Sequence, residues 1–296
     1  QERIPFLVIE SAKREYWELR NLEQFEDLMI YTLGSEDPQK AVRYRLNPFE
    51  TLPGISLQSH IDLLLATFKT AFEMYPPMPY VLETAVYEVY KDRGWDIVTN
   101  QNRFGFTLYP TLSDLYDKIG YTVSCMGYDK EVSSNIQSAL EARINSMMIG
   151  GKGAMLNTSK SIPIDSLLSY PTVLELEDIG DDETKSFVIG MLMVQLYEYR
   201  KYQKDKINGA KKLQHILMIE EAHRLLKNVP QSANSTQAKS VEFFCNMLAE
   251  IRTYGQGIFI ADQIPTKLAP DTIKNTNLKI VHRTVAQEDR EAMGKA

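Results

Sequence analysis

From Thr172 to Asp262 the chain reads TVLELE (172–177), ETKSFVIGMLMVQLYEYRKY (183–202), HILMIE (215–220), AKSVEFFCNMLAEIRTYG (238–255) and GIFIAD (257–262). The short β-branched runs bounded by polar residues predict buried strands. The longer stretches, with apolar residues every three or four positions, predict helices. Strands alternating with helices of this length imply βαβ units, a parallel sheet and right-handed crossovers. The expected fold is therefore α/β, a mostly parallel sheet flanked by helices.

Working outward, IPFLVIE (4–10), DLMIYTL (27–33) and LKIVHRT (278–284) carry the same strand signal. Strands are expected near 6–9, 28–32, 173–176, 215–219, 257–261 and 278–282 in one sheet. Between them, LQSHIDLLLATFKTAF (57–72), YVLETAVYEVYKDRGW (80–95), LSDLYDKIG (112–120) and VSSNIQSALEARINSMMIG (132–150) are helical in period, the last ending at a glycine pair. The predicted organisation is 1–54 as the start of an α/β core, 55–165 as a mainly helical insertion, and 166–296 as the remainder of the core.

The composition suits a globular protein: of 296 residues, 44% are hydrophobic and 24% charged, enough apolar surface to build a large core. Cys125 and Cys245 form no CxxC pair, which argues against a zinc knuckle or a disulfide framework and suits a reducing compartment, so a cytoplasmic location is expected. No run approaches eighteen apolar residues, and no membrane partner is expected. The net charge of −6 gives no overall basic field, so any DNA contact must be local. The chain begins at Gln1 without a methionine, which reads as a piece of a longer polypeptide.

Ligands of open α/β sheets collect at the carboxyl ends of the strands, so the polar residues just beyond each apolar run are the candidate site. In LMIEEAH (217–223) a strand ends in Glu220 and Glu221. Such a pair can hold Mg²⁺ and polarise a water in a nucleotide hydrolase, or it can sit in the first turn of a following helix and favour its dipole. Gln263 follows the strand at 257–262 and is either a sensor of phosphate or a turn residue. Glu10 ends the first strand and is either a site acid or a solvated loop acid. Arg252 and Arg283 are candidate arginine fingers, since guanidinium forks onto phosphate oxygens, or surface ion-pair partners.

Together, VIESAKREY (8–16), LMIEEAHRLL (217–226), EIRTYGQG (250–257), IADQIP (260–265) and IVHRT (280–284) resemble the HerA/FtsK superfamily of hexameric P-loop ATPases, in particular HerA-like ATP-binding proteins. The resemblance is strongest over 213–284 and looser between 55 and 165. It implies a RecA/FtsK-like core, ATP and Mg²⁺ as cofactors, and a homo-oligomeric ring acting on double-stranded DNA, with a nuclease or other effector as a further partner. It places Glu220 at the Mg²⁺-associated Walker B position, where the family usually has Asp, and Glu221 at the water-activating position. Gln263 takes the sensor position, Arg252 the family's R-x-x-G arginine, Arg283 the alternative finger, and Glu10 the acid after the strand that follows the P-loop helix. Two other readings are a non-catalytic scaffold for an effector and a secretion-type motor ATPase.

One part of this chemistry has no counterpart in the sequence. A phosphate cradle of the form G-x-x-x-x-G-K-[ST] does not occur, and GGKGAMLNTSKS (150–161) lacks the spacing. The resemblance puts a P-loop upstream of residues 4–16, and the chain alone is expected to be inactive. For nucleic acid, RKYQKDKINGAKK (200–212) is the basic concentration, equally a solvated loop. KNVPQSANSTQAKS (227–240) reads as a pore-facing or an ordinary flexible loop.

Overall fold

The computed structural model describes residues 4–37, 44–204, 212–229 and 236–294. Five strands form the central sheet: β1 (Phe6–Glu10), β2 (Met29–Thr32), β5 (Thr172–Glu175), β6 (His215–Glu220) and β7 (Gln256–Ala261). A two-stranded hairpin, β3 (Trp95–Asp96) with β4 (Gln101–Asn102), stands apart. The sheet order is β2-β5-β1-β6-β7, and every neighbouring pair is parallel. The α/β expectation is met, and five of the six expected strands lie within a residue or two of their places.

Between the second and third strands of the sheet lie α1 (Leu57–Ala71), α2 (Met78–Asp92), α3 (Leu112–Cys125), α4 (Lys130–Met148), α5 (Gly150–Leu156) and α6 (Ile164–Leu168). Local chemistry fixes their starts. The Ser56 side chain accepts from Ser59 N–H ahead of α1, and Thr111 with Asp114 forms a reciprocal capping box ahead of α3. Two helices complete the sheet's crossovers, α7 (Asp182–Lys204) between β5 and β6, and α8 (Thr236–Ile251) between β6 and β7. Helix α1 lies along both, with the Phe68 ring centred 4.7 Å from that of Phe187 of α7 and tilted 44° to it. One continuous apolar cluster therefore joins the sheet, α7, α8 and the helices of 57–168.

Strand alternation divides the sheet into two unlike faces. Leu7, Ile9, Leu217 and Ile219 point into the large core beneath α7 and α8. Val8, Ile30 and Val173 point the other way and are covered by Tyr16, Leu19 and Phe25, from the 3₁₀ turns Tyr16–Asn21 and Glu23–Phe25. This cover runs out across the sheet. In the register row Val8, Met218, Phe259, the first is buried, the second half-buried and the third 55% exposed. Strand β7 is also the sheet's edge.

The sixth expected strand does not form. Residues 278–282 take no strand pairing among the described residues, and Leu278 and Ile280 are 76% and 74% exposed. After β7 the chain instead makes a 3₁₀ turn (Pro265–Lys267), then α9 (Pro270–Lys274) and α10 (Gln287–Gly294). The apolar run is real, but a strand is stabilised by its neighbours, and no partner lies beside this one.

Candidate functional site

The carboxyl ends of β5, β1 and β6 set three glutamates side by side. Glu10 and Glu175 are register partners, and the Ile9–Ile219 pairing puts Glu220 at the next step along β6. Each is two residues beyond Val8, Val173 or Met218, so all three share the thinly covered face. Glu10 is fully buried; its Oε1 accepts the Glu15 N–H at 2.8 Å, and its Oε2 has no partner. Burial pushes its carboxyl up to about 7, the Glu15 N–H pulls the other way, and Glu220 and Glu175 add repulsion. Glu175 is also raised, chiefly by burial. It accepts from the Thr32 hydroxyl at 2.9 Å, and Arg14 stands 3.7 Å away.

Glu220 is held from outside its own strand. The Tyr16 hydroxyl donates to its Oε1 at 2.6 Å, and the Ser11 hydroxyl donates to its carbonyl at 3.1 Å. Burial and then Glu220 hold the Tyr16 hydroxyl far above its ordinary range, so it remains a donor. Lys185, at the start of α7, donates to the Ser11 carbonyl at 2.8 Å and ties this loop to the helix.

Glu221 breaks the strand. Its backbone is left-handed, at φ 49 and ψ 46, a conformation that costs a non-glycine residue about 1–2 kcal/mol. The turn swings its carboxylate onto Arg224, with Nε at 2.8 Å and Nη2 at 2.7 Å, and Arg224 also pairs with Asp182. Beside it, Asp262 lies one residue beyond β7. Its Oδ2 accepts the His223 N–H at 2.9 Å and faces His223 Nδ1 at 2.8 Å. Glu220 closes a strand and Glu221 precedes a three-residue 3₁₀ turn, so the helix-dipole reading of the acidic pair is not met.

The other candidates are more scattered. Gln263 follows Asp262 and is exposed beyond the end of β7, on the same edge as Glu220. Arg252 lies at the opposite edge, in the turn that feeds the start of β7, where its Nη1 donates to the Asn275 carbonyl at 2.8 Å. Six residues of strand, about 17–20 Å, separate it from Glu220 in its own chain. The glycine of R-x-x-G has a backbone role: Gly255 has φ 80, and a Cβ there would meet the Lys212 carbonyl at 2.6 Å. Arg283 is exposed in the unpaired segment. GGKGAML is helix α5, with Lys152 paired to Asp181 at 2.8 Å. Parts of the two loop readings, 205–211 and 230–235, lie outside the described residues.

Sequence reasoning missed Tyr16, Ser11, Arg224 and the Asp262–His223 pair. It also passed over Glu175, although the strand-end rule that selected Glu10 applies equally to TVLELE.

The fold and the site define an α/β chain with a parallel sheet and acidic residues gathered at its carboxyl edge. Among solved structures, VirB4 of Thermoanaerobacter pseudethanolicus matches with a TM-score of 0.57 at 16% identity, over 92% of this chain and 66% of that one. The match shows the fold, and this chain spans just under two thirds of the VirB4 chain. The plasmid coupling protein TrwB in complex with ADP and Mg²⁺ aligns over 91% of this chain and 67% of its own, at 10% identity and a TM-score of 0.47. No protein-family description and no curated protein matches the chain.

The residues present fit one side of a Mg²⁺–nucleotide site. Mg²⁺ is usually held by one or two carboxylates plus substrate phosphates, and Glu220, half-buried at the end of β6, offers one carboxylate there, with the fully buried Glu10 carboxyl behind it. Although Glu10, Glu175 and Glu220 end neighbouring strands, no three metal-binding side chains among the described residues come together in a way that could hold an ion. No helix of the described residues is long and apolar enough to cross a membrane.

Proposed function

We propose that this chain is the catalytic half of a ring-forming, Mg²⁺-dependent motor ATPase of the HerA/FtsK superfamily, and within it a secretion-type motor rather than a HerA-like DNA translocase. The observation that carries the ATPase reading is the end of β6, where Glu220 is clamped by Tyr16 and Glu221 is turned out of the strand onto Arg224. The likeness in fold to VirB4 favours the secretion-type reading over the HerA-like one.

ATP and Mg²⁺ would supply the phosphoryl group and the charge that offsets its departure. Glu220 is the carboxylate toward the metal, fixed by the Tyr16 hydroxyl. Glu221 is the water-polarising acid, and it must let go of Arg224 or share it. Gln263 is the sensor at the next strand end, and Glu10 backs the metal side. Arg252 is too far from its own chain's acids and serves the neighbouring subunit in a homo-oligomeric, hexameric ring; Arg283 is the alternative. The substrate moved is protein or a DNA–protein complex, in the cytoplasm.

The phosphate cradle is the part these residues do not provide. The open edge of β7 and the bare face at Met218 and Phe259 leave room for one more parallel strand and a helix, the two elements on which a phosphate loop stands. A right-handed connection from a strand beyond β7 back to β1 would lay its helix on that face.

The test is ATP turnover by the native polypeptide that carries these residues, with and without Mg²⁺ and with and without duplex DNA. The secretion-type reading predicts Mg²⁺-dependent turnover that naked duplex leaves within about twofold. Stimulation by duplex of tenfold or more would return the assignment to a DNA translocase, and no turnover at all would favour the scaffold.

A further inference from the structure

Glu221, the acid turned out of β6, gives its partner only one of its two oxygens. Arg224 reaches that oxygen twice, with Nε 2.8 Å and Nη2 2.7 Å from the same Oε2. Oε1 takes no hydrogen bond or ion pair among the described residues and is open to solvent. The backbone closes the same turn: Arg224 N–H donates to the Glu221 carbonyl at 3.0 Å, and Ala222, Leu225 and Leu226 are buried beneath it. On one side Asp262 accepts the His223 N–H at 2.9 Å, and on the other Arg224 pairs with Asp182 in the first turn of α7. Lys185, one turn further along that helix, donates instead to the Ser11 carbonyl at 2.8 Å.

This pattern differs from an ordinary arginine–carboxylate pair, in which two parallel bonds run to the two oxygens and occupy the whole group. Two donors on one oxygen fix that oxygen and leave the other as a free acceptor. A carboxylate that polarises water needs that division. Holding it is demanding, because the left-handed backbone of Glu221 is a strained conformation that persists only where its surroundings over-determine it. A rigid guanidinium fork supplies the constraint, whereas an ammonium on a flexible stem does not.

We propose that Arg224 is a positioning residue for hydrolysis: by holding Oε2 it aims Oε1 of Glu221 as the acceptor for the attacking water, and Asp182 steadies the guanidinium from outside. This rests on the reading of the β6 end as a hydrolytic centre. The Asp182 side chain is 82% exposed and that of Glu221 23%, so the Glu221 contact carries most of the effect and the outer pair little.

The test compares the native polypeptide with its Arg224→Ala, Arg224→Lys, Asp182→Asn and Glu221→Gln variants. Arg224→Ala should lower kcat about 100-fold with ATP affinity held within about threefold, since a misplaced group costs turnover rather than binding. Arg224→Lys keeps the charge without the fork and should lose about tenfold, and Asp182→Asn about twofold. Added methylguanidinium should recover part of the turnover of Arg224→Ala and none of that of Glu221→Gln. Arg224→Ala placed on Glu221→Gln should bring no further loss, because the two side chains act as a unit. Without nucleotide, phenylglyoxal labelling followed by mass spectrometry should be several-fold faster at Arg224 in Glu221→Gln than in the parent. Turnover of Arg224→Ala at or above the parent's, a matching loss of ATP affinity, or a further loss in the double variant would overturn the proposal, as would labelling that Glu221→Gln leaves unchanged. Parental turnover in Glu221→Gln would instead remove the hydrolytic reading and this proposal with it.

Discussion

Glu10 is the side chain whose chemistry departs furthest from what its place in the sequence suggests. It reads as a site acid or a solvated loop acid, and it is a fully buried carboxyl with one unpartnered oxygen and two carboxylates beside it. Its folded value of about 7 lies above its ordinary 4.5, so the native state holds this proton more tightly than the unfolded chain does. The associated stability is fully present below about pH 4.5 and is lost as pH rises toward 7. Glu10→Gln keeps an acceptor for the Glu15 N–H and removes the charge. Urea unfolding should find the variant more stable than the parent by about 1–3 kcal/mol at pH 8, with the difference vanishing near pH 4.5; parallel stability curves from pH 4.5 to 8 would refute this account of Glu10. The acids at strand ends were legible because an apolar run followed by a carboxylate is a local pattern. Tyr16, which donates to Glu220 from 204 positions away, has no local signature.

Glycines in GGKGAML suggest a phosphate loop by composition and have a packing role in the fold. A Cβ on Gly151 would lie 2.0 Å from the Gly34 carbonyl oxygen, and one on Gly153 would lie 1.9 Å from the Met148 carbonyl oxygen. Gly151→Ala should therefore lower stability by 2 kcal/mol or more, about 4 °C or more in Tm for a chain of this size, in thermal unfolding. A Tm within a degree of the parent's would mean that α5 does not need the close approach. Helix α1 depends on its contact with α7. Phe68→Ala removes a buried ring 4.7 Å from Phe187 and should cost about 3–5 kcal/mol in chemical unfolding; a loss under 1 kcal/mol would show that α1 is not tied to the sheet layer through this pair. Strands and helices were readable from periodicity because both report one-sided burial. LKIVHRT failed because the same apolar run needs a partner strand, and sequence pattern does not say whether one is adjacent.

Taken together, the sheet has a finished side and an unfinished one. The β2 side is covered on both faces, whereas β7 has an open edge, an exposed Phe259 and a trailing apolar segment at 278–285. Which side chains can reach one another is the least legible from sequence, and Arg252 illustrates why: the motif marks it, but only the parallel register shows that it sits at the opposite edge of the sheet from Glu221 of its own chain. If it acts on the neighbouring subunit, mixing Glu221→Gln with Arg252→Ala subunits of the native polypeptide should give more turnover than either variant alone, because some interfaces regain both groups. Turnover that is the weighted mean of the two variants would place its action within one chain. The most direct test of the hydrolytic centre is steady-state ATP hydrolysis and ATP binding by the native polypeptide and its Glu221→Gln variant. The amide keeps the side chain's shape but cannot polarise water as a carboxylate does. Turnover should fall by at least about 100-fold with ATP affinity held within about threefold; near-parental turnover in Glu221→Gln would contradict the assignment of this strand end as the hydrolytic centre.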